Sequence, residues 1–286
     1  MRLVTWNVQW FRGLDGRVDP ARVIAHALAF GDVDVLCLQE IADHFPAPHL
    51  AGNGDDDQFA RVASLLPGYA IASGFGADLP GEGGRRRRFG NLVASRLPMG
   101  QVFRHALPWP ADGSVPSMPR VAVEAVVAAP FGELRVITTH LEYYSKRQRA
   151  AQVARLRAIH AEGHGQARAP ARSRDDDGPF RVLPLPRAAI VCGDFNLPAG
   201  DEDWQAMQAT FDDGTSRLHD AWRLVHGNAP QPPTFCVHEA FAPGSKPVAC
   251  DFVFASDEIA GRVRRVEVDG DTRLSDHQPV VVDLAD

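Results

Sequence analysis

Six short polar clusters, each closing an apolar run, hold the residues of this chain best suited to chemistry. They are Thr5-Trp6-Asn7, Leu38-Gln39-Glu40, Thr138-Thr139-His140, Gly193-Asp194-Phe195-Asn196, Cys250-Asp251-Phe252 and Ser275-Asp276-His277. The carboxylates of Glu40, Asp194 and Asp276 and the amides of Asn7 and Asn196 are hard oxygen donors, a set that suits Mg²⁺ or Mn²⁺. His140 and His277 are the only histidines attached to these clusters. As imidazolium either one stabilises developing negative charge, and as imidazole either one acts as a base. No activated serine or cysteine accompanies them, so water is expected to attack directly without a covalent intermediate. Each cluster alone has an ordinary structural use: Asn7 can cap a turn, Asp194 and Asn196 can close an Asx-turn, and Asp251 can pair with an arginine. Six in order at strand ends is the pattern of a scaffold that holds a site.

The elements that must position them are legible from hydrophobic patterning. Apolar runs at 3–8, 33–39, 69–73, 92–95, 121–128, 134–139, 188–192, 249–255, 263–268 and 279–284 are expected strands. Asp19-Pro20 supplies an N-cap and a first-turn proline for a helix whose apolar face is Val23, Ile24, Ala27 and Leu28. Asp57 caps a second helix that presents Phe59, Val62, Leu65 and Leu66 and stops at Pro67-Gly68. Ser145-Lys146-Arg147-Gln148 fits a capping box and opens a third helix, to about His160, with Val153, Leu156 and Ile159 inward. Many strands and fewer helices point to a two-sheet core flanked by helices. The stretch 162–187 is rich in Gly, Pro, Arg and Asp without periodicity and reads as a mobile surface loop; 76–88 reads as a second loop. Polar clusters lie on both sides of each, so residues 1–286 are expected to form one domain.

In order and spacing the six clusters resemble the deoxyribonuclease-I-like endonuclease/exonuclease/phosphatase superfamily, a match spanning positions 5 to 284. The resemblance implies an α/β fold: a four-layered sandwich of two central mixed β-sheets flanked by helices, with one active site at their shared edge. It implies divalent-metal-dependent hydrolysis of a phosphate ester. By family position Glu40 is the main metal ligand, helped by Asn7 and Asp276. Such a cation polarises a phosphoryl oxygen and stabilises the leaving oxygen. Asp194 then accepts a proton from, or orients, the attacking water, and Asn196 holds the phosphate or that water. The alternative, water activation by His277, stays open. Asp251 resembles the family carboxylate that fixes the tautomer of the last histidine. Asn91 matches a Gly-Asn pair seen in relatives and is either a site residue or a turn residue.

Two departures narrow the activity. Apurinic-site nucleases of the superfamily read Gln-Glu-Thr-Lys where this chain has Gln39-Glu40-Ile41-Ala42. Their Arg-x-Asp-Tyr is here Ala249-Cys250-Asp251-Phe252. Abasic-site repair is therefore disfavoured while the metal site is retained.

With 30 Lys plus Arg against 36 Asp plus Glu, the net charge is −6, unlike a protein that grips long nucleic acid over a basic face. A polyanion would need a local basic patch, metal ions, or both. Arg85, Arg86, Arg87 and Arg88 form one such run, and Lys146, Arg147 and Arg149 another. Cations in a helix's first turn oppose its dipole by roughly 0.3–1 kcal/mol each, a cost that an anionic ligand offsets. Solvated faces explain such runs equally well. Tyr143 and Tyr144 can stack on a base, contact a phosphate, or pack. Asn91, Tyr143 and Arg147 are the candidate substrate contacts.

The leading expectation is a phosphodiesterase acting on DNA, RNA or a nucleotide-like ester. The alternative is a phosphatase or phosphodiesterase for a small phosphorylated metabolite or lipid headgroup, and a catalytically silent binding module of the same fold is more remote. No obligate protein partner is evident. No apolar stretch reaches the ~18 residues of a membrane span, and the first residues show no signal-peptide pattern, so a cytoplasmic location is expected. The 4 cysteines are too scattered for a disulfide framework, and Cys236, His238 and Cys250 match no recognised zinc spacing. Cys37 and Cys192 are expected in the core.

Overall fold

The computed structural model describes residues 1–174, 178–239 and 244–286. Two six-stranded mixed sheets pack face to face. The first has the order β11 (Val263–Val268), β12 (Val280–Leu284), β1 (Arg2–Asn7), β2 (Val35–Asp43), β4 (Arg86–Ser95), β3 (Ala70–Pro80). The second runs β5 (Met99–Ala106), β6 (Val121–Ala129), β7 (Gly132–His140), β8 (Ala189–Asp194), β10 (Asp251–Ser256), β9 (Leu218–Asp220). One pair in each sheet is parallel, β1 with β2 and β7 with β8; the other pairs are antiparallel.

Both faces of the central strands are buried, which is why they read as continuous apolar runs and not as alternation. Along β1, Leu3 enters the core between the sheets, whereas Val4 and Trp6 face outward to α1 (Pro20–Leu28) and α2 (Gln58–Leu65). In the second sheet Val136, Ile190 and Val253 face the shared core. Ile137, Val191, Phe252 and Phe254 face α3 (Lys146–Arg168) and α4 (Glu202–Met207). The result is a helix–sheet–sheet–helix sandwich. Two shorter helices, α5 (Ala221–His226) and α6 (Asp257–Ala260), complete the set. Among the described residues no helix is long and apolar enough to cross a membrane.

The caps at Asp19 and Asp57 are present, each accepting an N–H from the first turn of its helix. Ser145 likewise accepts from Gln148 N, but the reciprocal half of the capping box is absent: the Gln148 amide donates to Pro110 O and Ser117 Oγ. Two expectations are corrected. Residues 76–88 are no loop, because β3 and β4 form a long hairpin that turns only around 81–85. The third helix continues past His160 through Arg168, so the first seven residues of the expected loop 162–187 are helical; its residues 175–177 lie outside the described residues. An unforeseen edge strand, β5, is half exposed and mixes polar with apolar residues, which hid its period.

Candidate active site

Strand periodicity aims the polar clusters. Every second residue of a strand faces the same side, so the inward stripe Leu3, Thr5 on β1 continues to Asn7. The stripes Val136, Thr138 on β7, Ile190, Cys192 on β8 and Val253 on β10 likewise reach His140, Asp194 and Asp251. Register then brings these ends level: His140 pairs with Asp194 and Asp194 with Asp251 across the second sheet, while Asn7 pairs with Gln39 across the first. Gln39 is fully buried and donates to Thr5 Oγ1 at 3.1 Å and to Thr138 Oγ1 at 2.8 Å, so one amide bridges both sheets and floors the site.

Glu40 needs a further device. Simple alternation would turn it away from the side that Gln39 occupies. Between the pairs Leu38–Leu92 and Ile41–Gly90, two residues of β2 oppose the single Asn91 of β4, a bulge in which Glu40 adopts φ +60°. Bulges re-aim side chains in this way, and a left-handed non-glycine residue at such a point marks a backbone held by its surroundings. Glu40 thereby joins the wall of a cavity of about 190 Å³ shared with His140, Asp194, Asn196, Asp276 and His277.

Asn7 ties this wall together. Its Nδ2 donates to Glu40 Oε1 at 3.2 Å and to Asp194 Oδ2 at 3.0 Å, linking a carboxylate of each sheet. Its Oδ1 accepts Gln9 N–H at 3.1 Å, and the residue is fully buried behind the cavity wall. The expected ligand thus sits where it positions carboxylates, with its oxygen already engaged. Gln9 Nε2 also donates to Asp276 Oδ2 at 2.9 Å, and Ser275 Oγ to Asn7 O at 2.7 Å.

His140 lies between the sheets' carboxylates, its Nδ1 3.8 Å from Glu40 Oε1 and its Nε2 3.4 Å from Asp194 Oδ2. Burial, reinforced by the Arg120 cation, pushes its imidazole well below the usual histidine range. His277 behaves oppositely. Burial alone would lower it, but Asp251 and Asp194 outweigh burial and hold the imidazole well above its ordinary value. Its Nδ1 meets Asp251 Oδ2 at 2.9 Å, and its Nε2 lies 3.6 Å from Asp194 Oδ2. Thr234 Oγ1 donates to the same Asp251 oxygen at 2.6 Å, and the Phe235 ring lies against the imidazole at 4.6 Å between centroids. Asn196, at φ +52°, gives its backbone N–H to Asp194 Oδ1 and one side-chain N–H to Leu141 O.

The acids are crowded. Burial, and then the neighbouring Asp276, raise the Glu40 carboxyl to about 7; burial raises Asp194 to about 6 and Asp276 above its usual value. Buried carboxylates that raise one another in this way are short of positive charge. Together with their hard oxygens, this fits a divalent cation at Glu40 and Asp276.

The substrate candidates separate. Tyr143 lines the cavity with Tyr144, the two rings packed edge to face. Asn91 lies outside it, buried in β4 and donating to Val121 O at 2.8 Å. Arg147 also lies outside, its guanidinium on Ala111 O. Arg149 turns inward to Glu142 O and Tyr143 O, shaping the segment that carries the tyrosines. The 85–88 run is engaged as well: Arg85 pairs with Asp55, Arg86 with Asp78 and Arg88 with Asp43, while Arg87 meets His49.

Sequence reasoning missed Arg120. It lines the cavity and is buried; its Nε donates to Glu142 Oε2, and its Nη1 has no hydrogen-bond partner among the described residues. A lone arginine before a strand carries no local signal. Gln9, by contrast, lies two residues past the first cluster, and Ser275 opens the last one.

Residues 4–277 match the model of the endonuclease/exonuclease/phosphatase family. The chain belongs to this family. Among solved structures it is similar to an endonuclease/exonuclease/phosphatase from Beutenbergia cavernae, at 25% identity over 99% of this chain and 71% of that one, with a TM-score of 0.71. Its fold is also that of a mannosyl-6-phosphatase from Bacteroides thetaiotaomicron, at 19% identity and a TM-score of 0.66 over 100% of both chains. The human nocturnin catalytic domain with bound sulfate shares the fold at 18% identity and a TM-score of 0.65, over 100% of this chain and 93% of that one. No curated protein sequence matches. The family's named activities all cleave phosphoester bonds, its members are usually divalent-metal dependent, and the fold is the expected α/β sandwich.

Proposed function

We propose that this chain is a divalent-metal-dependent phosphoester hydrolase that uses direct water attack on a small phosphate ester. The observation that carries this is the Asn7 bridge, which holds Glu40 and Asp194 on opposite walls of one cavity. Glu40 and Asp276 would hold Mg²⁺ or Mn²⁺, which supplies charge neutralisation at a phosphoryl oxygen. Asp194, raised yet within reach of two histidines, takes or orients the proton of the attacking water. His277, kept protonated by Asp251, donates to a phosphoryl oxygen and stabilises the charge that builds there. His140, kept neutral, adds a second donor. Arg120 lines the same cavity and would add positive charge beside the phosphate, and Asn196 steadies phosphate or water.

A small ester is favoured over nucleic acid because each arginine of the 85–88 run already has a partner and Arg147 lies away from the cavity. Tyr143 and Tyr144, which line the cavity, would contact the leaving group. A phosphatase acting on a sugar phosphate, the activity named for one relative in fold, is compatible with this cavity. The deciding experiment assays sugar phosphates, nucleotides, phospholipid headgroups, DNA and RNA with Mg²⁺, Mn²⁺ and EDTA, for wild type and His277→Ala. Hydrolysis insensitive to chelation would overturn the metal mechanism, and turnover confined to polymers would overturn the substrate class.

A further inference from the structure

Behind the hard-oxygen donors lies a second group with different chemistry. Asp194, Cys250, Asp251 and His277 are all buried, and each offers one ligand atom within 4.8 Å of the others'. Cys250 Sγ is 3.5 Å from Asp251 Oδ2, and His277 Nδ1 is 2.9 Å from that same oxygen. In a tetrahedral zinc site, with Zn–S about 2.3 Å and Zn–N or Zn–O about 2.0 Å, adjacent ligand atoms lie roughly 3.3–3.6 Å apart. The four groups therefore need shifts on the order of an ångström to enclose such an ion. Independently, Asp251 is fully buried, yet its Oδ1 accepts no hydrogen bond among the described residues. A dry, unpaired carboxylate oxygen is a costly group that a cation would satisfy.

Ligand softness sets the class of ion. Glu40 and Asp276 offer oxygen only, whereas this group adds sulfur and imidazole nitrogen, which select Zn²⁺ over Mg²⁺. We propose that Cys250, His277, Asp251 and Asp194 form an inhibitory site for a thiophilic divalent cation, Zn²⁺ foremost. On binding, metal–sulfur, metal–nitrogen and metal–oxygen bonds form. The thiol proton and the imidazole proton facing the ion leave to solvent, and nothing is oxidised or reduced. Occupancy removes His277 and Asp194 from catalysis at once. The inhibitory consequence rests on the function proposed above; the binding does not.

The test uses the full chain and Co²⁺ as a spectroscopic probe. Wild type should bind Co²⁺ with a thiolate-to-metal charge-transfer band in the near ultraviolet. Cys250→Ser should lose the band, and Cys236→Ser should keep it. Zn²⁺ titrated calorimetrically in excess Mg²⁺ should bind Cys250→Ser at least about 10-fold more weakly, a loss typical of removing even a group behind a ligand. Circular dichroism and thermal melting establish that this variant is folded, since serine retains the donor that faces Asp251. Zinc inhibition of phosphoester hydrolysis should weaken by the same factor. A missing band, a band lost in Cys236→Ser, or equal Zn²⁺ affinity in wild type and Cys250→Ser would overturn the proposal. So would Zn²⁺ binding abolished by excess Mg²⁺. If no phosphoester is hydrolysed, the proposed function fails while the cobalt band and the zinc affinity still decide the site.

Discussion

Single residues here are tuned against one another. Arg120 is the basic wall of the cavity, and its fork serves Glu142 on one side while leaving Nη1 unengaged. Arg120→Lys keeps the charge but loses the planar fork. It should lower kcat/KM by roughly 10²–10³, the usual loss for one preorganised donor, with the Mg²⁺ activation constant unchanged; steady-state kinetics at varied Mg²⁺ would check both. Glu40 supplies a pH signature. Its carboxyl is raised to about 7, so the metal-free chain holds that proton below this pH, and a cation must displace it. Apparent Mg²⁺ affinity should fall about tenfold per pH unit below 7 and level off above it. Metal titrations from acid to mildly alkaline pH would show the bend, and an affinity flat across 7 would contradict the assignment of Glu40 as ligand.

Among the elements, β2 and α3 show how local signals and tertiary demands diverge. The end of β2 was legible as a cluster, Leu38-Gln39-Glu40, but the bulge that aims Glu40 forms only against Asn91 of β4. Residues 76–88, the outer part of the β3–β4 hairpin, satisfy every local criterion for a loop with their glycines and arginines; cross-strand pairing overrides them. In α3, Val153, Leu156 and Ile159 pack as their spacing requires, yet the helix outlasts its apolar stripe. There His160 is buried against Phe211, with Nε2 donating to Ser216 O and Nδ1 unpaired among the described residues. Burial lowers it to about 4 from the ordinary 6.5. The unfolded chain therefore takes up a proton between those values that the folded chain refuses. The contribution of His160 to stability should be constant above pH 6.5 and fall by up to about 1.4 kcal/mol per pH unit on the way down to 4, read as the difference between wild type and a His160 variant because the raised Glu40 and Asp194 carboxyls act with the opposite sign. Urea melts across that range should show His160→Gln with a shallower slope by up to one proton.

The whole molecule sets the reach of the substrate. The sandwich opens at one end of its two sheets, and the cavity there is about 190 Å³, with Arg85, Arg86 and Arg88 paired to aspartates beyond it. A substrate engaging one or two phosphates should show little salt dependence, whereas six to ten phosphate contacts would cost about 10³–10⁵ in affinity between 50 and 200 mM salt. Rates on the best small ester should thus vary by less than about threefold over that range. A steep decline for the preferred substrate would return the reading to nucleic acid.

The order and residue types of the six polar clusters carried the resemblance to the family, and strand period pointed to a two-sheet core with those clusters at strand ends, because inward stripes and their polar ends are properties of local chain geometry. Which of those groups face the cavity was decided only by tertiary packing. Register set Asp194 between His140 and Asp251, a bulge turned Glu40 inward, and the approach of separate segments placed Arg120 beside His140 and Cys250 beside His277. Such placements arise from contacts between residues far apart along the chain, and no nearby sequence pattern encodes them.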